Sequence, residues 1–399
     1  AIGGIDADMP GRFGAYVRLN YSGKIEFDCF IDGDVSNEDS NYNEKFWDEV
    51  DKEVTNETAN LTMRTKKTEF YVCTAQRVSL SVNGERKEYK AVTTENEKYV
   101  SQQFAVNANE NDEVVVYKYA ANVSSLNHEK DQLKSRALEV VNQSAEEGFE
   151  SMLEAQKQAW AERWKMNDIV IEGDVAAQQA IRFNIFQLNQ TYTGDDKRLN
   201  IGPKGFTGEK YGGSTYWDTE AYCLPFYMLT AGQEVARNLL LYRYRHLEKA
   251  IENAEKLGFH SGAALYPMVT MNGEECHNEW EITFEEVHRN GAIAYAIFNY
   301  IRHTGDSDYL KHGGLEVLVA IARFWSQRFN WSKDKKQYVM LGITGPNEYE
   351  NNVNNNWYTN YVARWSMKYA LQCIKETKTD TSFWNEFVKN SNFDESKEV

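Results

Sequence analysis

The chain has 399 residues, 42% of them hydrophobic and 26% charged, with only 5 Pro and a formal net charge of −16. That charge excludes nucleic acid or an anionic membrane surface as a partner, since both need a basic face, and no apolar run reaches the length of a spanning helix. The length exceeds what one compact core ordinarily fills, so two or more domains are expected.

In chain order, residues 12–121 read as β structure. "FGAYVRLNYSGKIEFDCFIDG" alternates around a Ser-Gly turn, and Asn83-Gly84 in "VSLSVNGERKEYKAV" is a strong hairpin signal. "KYVSQQFAVNA" and "EVVVYKYAANV" add strands, and such an antiparallel run suggests a sandwich. "EKFWDEVDKEVTNETANL" breaks the alternation and reads as a short helix or irregular insert. From about residue 125 the period becomes helical, with a break near Gly148, followed by a short strand "DIVIEG". After Asp174, an N-cap, the chain is almost wholly helical, with about seven helices expected. Ser214 or Thr215 is the expected cap of a helix ending at Gly232, and residues 233–257 read as one long helix closed by Gly258. Serial helix–turn–helix pairs suit a toroid of α-hairpins, cut short at its C-terminal side.

Five cysteines (Cys29, Cys73, Cys223, Cys276, Cys373) are scattered without CxxC spacing, which suits a reducing cytoplasm. The chain begins "AIGGIDADMP" and ends "NFDESKEV", so a piece open at both ends is expected. Three stretches could carry chemistry. "GPKGFTGEKYGGSTYWDTE" lacks the order of a phosphate-binding P-loop, but its Trp217 and Asp218 could stack on and hydrogen-bond a sugar. The competing reading puts Trp217 in the core and Asp218 in the first helical turn.

"NGEECHNEWEITFEEVHRNG" holds Glu274/His277 and Glu285/His288, two Glu-x-x-His pairs. They lie too close in sequence to come from separate facing helices, so no metal is expected. Interleaved Cys276, Trp280, Ile282 and Phe284 favour an ordered polar pocket wall over a solvated acidic loop. "LGITGPNEYENNVNNNWYTN" sets Glu348 just after a Gly-Pro turn, with Glu350 as rival, among amides suited to sugar hydroxyls. Neither a GxSxG nucleophile elbow nor a GxGxxG fingerprint occurs.

"YWDTEAYCLPF", "GEECHNEWEITFEEVHRNGAIAYAI" and "TGPNEYENNVNNNWYTNY" together closely resemble the disaccharide phosphorylases of glycoside hydrolase family 65. The resemblance spans essentially the whole chain. It implies a β-sandwich over residues 1–123 with its start missing, a helical linker over 124–173, and a partial (α/α)6 catalytic barrel over 174–399. It places the general acid on Glu348, glucose-binding groups on Trp217 and Asp218, and the acceptor-shaping loop on His277 to Glu285, including His277, Asn278 and Glu279. The loop has the form found in maltose-cleaving members.

The implied reaction consumes a disaccharide and inorganic phosphate. Phosphate is then a substrate, no metal or organic cofactor is called for, and a homodimer is implied. Phosphate replaces both water and the general base of an inverting hydrolase, so one protein carboxylate suffices. Glu348 must then be protonated near neutral pH, through burial or nearby acids. The phosphate ligands are expected beyond Val399, and Lys204, Lys210 and Arg289 carry no such assignment, so this piece alone is expected to be inactive. Three alternatives stay open. They are a trehalose, nigerose or kojibiose phosphorylase, a hydrolase using Glu279, Glu281 or Asp218 as second carboxylate, and a non-catalytic sugar-binding protein.

Overall fold

The computed structural model describes residues 11–18, 22–36, 45–203, 205, 210–276 and 281–399. It forms two compact units, Ala1–Lys165 and Met166–Val399.

Among the described residues the first unit carries nine strands: β1 (Gly11–Arg18), β2 (Gly23–Asp32), β3 (Trp47–Val54), β4 (Thr58–Thr65), β5 (Tyr71–Val82), β6 (Glu85–Lys87), β7 (Val92–Asn96), β8 (Tyr99–Ala108) and β9 (Glu113–Ser124). They make two antiparallel sheets, ordered β1-β9-β5-β4-β3 with β6 on β5, and β2-β8-β7. Alternate residues of β5 and β9 (Val78, Leu80, Val114, Val116) face Phe104 of β8 and Ile25 and Phe27 of β2, which is the apolar filling of a sandwich. The β5–β6 turn is the expected one, since Asn83 (φ +54°) and Gly84 (φ +81°) both adopt the left-handed conformation a two-residue hairpin needs.

The segment read as a helix or insert is instead β3 running into β4. A register shift between Glu49 and Asp51 breaks the two-residue period, which hides the strand from pattern reading. The charges of β3 suit its place at the edge of the sheet, where they discourage further strand pairing. On the other face of the large sheet lies α1 (Leu133–Glu147), whose Leu133, Ala137 and Val141 cover Cys73, Ala75, Ala121 and Val123. Gly148, at φ +86°, separates it from α2 (Phe149–Asn167), the break expected there.

Residues 168–173 form no strand. The side chain of Gln178 satisfies the backbone that a partner strand would have paired, accepting from the Ile171 amide (2.7 Å) and donating to the Ile169 carbonyl (2.8 Å).

The second unit contains α3 (Val175–Thr191), a π-helical turn (Thr219–Cys223), α4 (Leu224–Thr230), α5 (Gln233–Arg245), α6 (Leu247–Lys256), α7 (Ile282–Glu285), α8 (His288–Thr304) and α9 (Gly314–Arg328). A small hairpin, β10 (Asn330–Ser332) and β11 (Gln337–Val339), precedes α10 (Trp357–Thr377), α11 (Thr381–Ser391) and α12 (Glu395–Glu398). Asp174 caps α3 as expected, accepting from the Ala177 amide at 2.9 Å.

Two helical expectations are corrected. The helix expected from Ser214 or Thr215 starts only beyond Trp217, because Thr215 is held in an extended bridge with Thr270. The single long helix breaks at His246, whose backbone leaves helical geometry and whose ring packs edge-on against Tyr242 at 4.4 Å.

The core of this unit joins Leu239 and Leu240 of α5, Ile293 and Ile297 of α8, Ile321 and Trp325 of α9, and Ala363 and Cys373 of α10. At Gly291, α8 comes so close to α10 that a Cβ would stand 2.5 Å from a methyl of Val362. The β-rich unit followed by a helical unit is the architecture expected from the sequence. Among the described residues no helix is long and apolar enough to cross a membrane.

Candidate active site

The loop bearing Glu348 follows β11 and is closed on itself. Ile343 and Val353 exchange both backbone hydrogen bonds (2.8 and 2.9 Å). The Asn355 side chain accepts from the Met340 amide (3.0 Å), Asn354 accepts from Gly342 (3.2 Å), and Asn356 caps α10 through Thr359 (3.0 Å). These amides therefore build the loop instead of standing free for sugar hydroxyls, and Asn351 is the one that lines the cavity below. The Gly345-Pro346 turn is closed by the Glu348 amide donating to the Gly345 carbonyl (3.0 Å). Glu348 itself sits at φ +56°, a left-handed conformation that costs a side-chain-bearing residue energy and is concentrated at functional sites.

Glu348, Asn351, Glu281, Ile282 and Glu285 line a cavity of about 400 Å³. Glu348 is exposed, so of the two routes to its protonation expected from the sequence, burial or nearby acids, burial does not apply. The buried carboxyl is its neighbour Glu286, 2% exposed, between α7 and α8. Burial, reinforced by the adjacent Glu348 carboxylate, pushes Glu286 up to about 8, with Asp218 adding to the effect and Arg289 opposing it. Glu286 is therefore protonated at neutral pH and within hydrogen-bond reach of Glu348.

The acidic stretch sorts into distinct roles. Glu274 is exposed beside Lys249. Glu275 accepts from the amides of Met268 (2.6 Å) and Val269 (3.1 Å). Glu285 reaches Thr344 and the Asn352 amide in the loop of Glu348. His277, Asn278, Glu279 and Trp280 lie outside the described residues, as does Lys204.

Trp217 is half-buried, its ring edge-on to His288 at 5.0 Å, and His288 in turn faces Tyr358 at 6.0 Å. Burial and the Arg289 charge push His288 down to about 4, so it is neutral across the physiological range. Asp218 makes no side-chain cap bond to the helical turn it precedes, and its charge bears on Glu286. The turn is anchored by a fully buried ion pair, with Arg243 of α5 donating to Glu220 through Nε (2.7 Å) and Nη2 (2.9 Å). Arg289 donates to the carbonyls of Tyr266 (2.5 Å) and Glu286 (3.0 Å) and stands 3.9 Å from Glu275.

The structure thus brings Trp217, Asp218 and Glu348 into one neighbourhood and adds Glu286, Glu285 and His288, none of them singled out from sequence as catalytic. Glu286 stands beside Val287 at the entry to an apolar helix, but Glu285 adjoins it, so no signal in the sequence separates the two.

Comparison with known proteins gives the same picture over both units. Residues 182–398 match the Glycosyl hydrolase family 65 central catalytic domain, and residues 16–163 match the Glycosyl hydrolase family 65, N-terminal domain. The chain is 45% identical over 385 residues to the maltose phosphorylase of Bacillus subtilis (strain 168), covering 93% of this chain and 50% of that protein. It is 34% identical over 372 residues to an alpha,alpha-trehalose phosphorylase of Thermoanaerobacter brockii, covering 91% and 47%. A solved structure described as a putative kojibiose phosphorylase from human microbiome superposes with a TM-score of 0.85 at 27% identity, over 97% of this chain and 50% of that one. The chain spans about half the length of the curated relatives it matches.

Proposed function

The chain belongs to glycosyl hydrolase family 65, and from that premise we propose that it forms part of an inverting disaccharide phosphorylase whose substrate is maltose. In this reading Glu348 gives its proton to the glycosidic oxygen while inorganic phosphate attacks the anomeric carbon from the opposite face. The bond from that carbon to the leaving glucose breaks as the bond to a phosphate oxygen forms. One displacement inverts the centre and yields β-glucose 1-phosphate and glucose. Trp217 and Asp218 hold the glucosyl unit, and the 277–285 segment shapes the acceptor side.

The observation that carries this reading is the carboxyl pair. Burial and then Glu348 push Glu286 up to about 8, which places a protonated carboxyl beside Glu348 in the site. The same fact counts against Glu286 as the base of a hydrolase, while Glu281 lines the cavity with Glu348. A general base must be ionised and stand far enough from the acid to admit water, whereas Glu286 is raised to about 8 beside Glu348. The choice of maltose rests on the similarity to the maltose phosphorylase of Bacillus subtilis (strain 168).

The test is proton NMR on a chain of the relatives' full length carrying this sequence, with maltose, trehalose, kojibiose and nigerose, each with and without phosphate. A β-glucose 1-phosphate signal from maltose that requires phosphate is expected. Equal glucose release without phosphate would mean hydrolysis, and turnover of another disaccharide in preference would replace maltose.

A further inference from the structure

Glu285 ends α7, the short helix that closes the acceptor-side segment, and among the described residues its side chain hydrogen-bonds the loop of Glu348. One carboxylate oxygen, Oε2, accepts from the Thr344 hydroxyl and from the Asn352 amide (3.0 Å). Its backbone carbonyl also accepts from the Thr344 amide (3.3 Å). Thr344 is fully buried, and its hydroxyl lies 3.3 Å from the same Asn352 amide. Thr344 and Asn352 stand four residues before and four after Glu348, so one side chain grips both flanks of the turn that carries the acid.

Asn352 shares the left-handed backbone of Glu348, at φ +53°. Such a turn persists only where its surroundings hold it, and hydrogen bonds to a charged acceptor are the stronger kind. Glu281, Ile282 and Glu285 line the same cavity as Glu348 and Asn351.

We propose that Glu285 is a positioning residue that fixes Glu348 against the acceptor side of the cavity, so that the 281–285 segment and the acid-bearing loop act as one rigid wall. This rests on Glu348 being the acid, as proposed above. Glu285 touches no reacting atom, and its effect is confined to where Glu348 places its proton. Changes in the acceptor segment that reach Glu285 will therefore disturb protonation of the leaving group as well as the choice of acceptor.

The test compares Glu285→Ala, Glu285→Gln and Glu348→Gln in a chain of the relatives' full length, on maltose with phosphate and on α-glucosyl fluoride with phosphate. Fluoride departs without a proton from the enzyme, so a misplaced acid slows only the maltose reaction. Glu285→Ala is expected to lose about 10–100-fold on maltose, the scale of a small misplacement of an acid, and to keep its rate on the fluoride. Glu285→Gln still offers an oxygen to Thr344 and Asn352 and is expected to restore the maltose rate. Equal losses on both substrates, or none on maltose, would overturn the proposal. Normal maltose turnover by Glu348→Gln would instead remove the acid assignment, and it is read separately.

Discussion

Glu286 and Glu348 bring their carboxyl groups within hydrogen-bond reach of each other, one buried between α7 and α8 and the other exposed on the loop after β11. The proton sits on Glu286, which burial first and the neighbouring Glu348 second push up to about 8.

The alkaline limb of the kcat/KM profile should therefore depend on Glu286. Glu286→Gln keeps a neutral side chain there but removes the group that ionises near 8, and the limb is expected to lose the inflection that Glu286 contributes. A pH–rate series on maltose with saturating phosphate reads this directly. A limb unchanged in the variant would mean that Glu286 does not govern it.

Stability should show the same pair. In the folded chain Glu286 keeps its proton up to about 8, whereas the ordinary carboxylate value is 4.5. Between these values the folded state binds a proton that the unfolded state has released, so unfolding free energy declines as pH rises through the window. His288 acts at the other end: pushed down to about 4 from 6.5, it lowers stability as pH falls through that range. Thermal unfolding of wild type and Glu286→Gln from pH 5 to 8.5 separates the two, with a flatter slope expected in the variant. Parallel slopes would contradict the burial of a protonated Glu286.

The buried pair Arg243–Glu220, with side chains 3% and 1% exposed, holds the turn after Trp217 and Asp218. Arg243→Ala leaves Glu220 as an uncompensated buried charge, and a loss of about 3–5 kcal/mol is expected in urea unfolding. The double replacement Arg243→Met with Glu220→Leu should recover much of that loss. A small effect of the single variant would place water at the pair.

Gly291 sets the approach of α8 to α10. Gly291→Ala forces a methyl to 2.5 Å from Val362, and overpacking of about 1–3 kcal/mol is expected. Adding Val362→Ala makes room and should return part of it, as a double-mutant cycle would show.

Several features were legible in the sequence because their causes are local. Asn83-Gly84, Gly148 and Asp174 mark a turn, a break and a cap through their own backbone preferences. The Gly-Pro turn before Glu348, and the Trp217-Asp218 pair at a helix start, could likewise be quoted from short stretches. Where a local rule was interrupted, reading failed. The irregular register of β3 cancelled its alternation, Gln178 replaced the strand expected near Ile169, and His246 divided a helix whose apolar period runs on unbroken.

What only the tertiary structure decided was which charges meet. Glu285 and Glu286 are adjacent in sequence, yet one clamps a loop through Thr344 and Asn352 while the other is buried as an acid beside Glu348. Nothing in the order of residues distinguishes them, because a carboxyl's protonation depends on burial and on neighbours brought from distant segments. The sequence by itself determined the β-then-α plan and the loop that carries Glu348. The packing of α8 against that loop determined where a proton can be held at neutral pH.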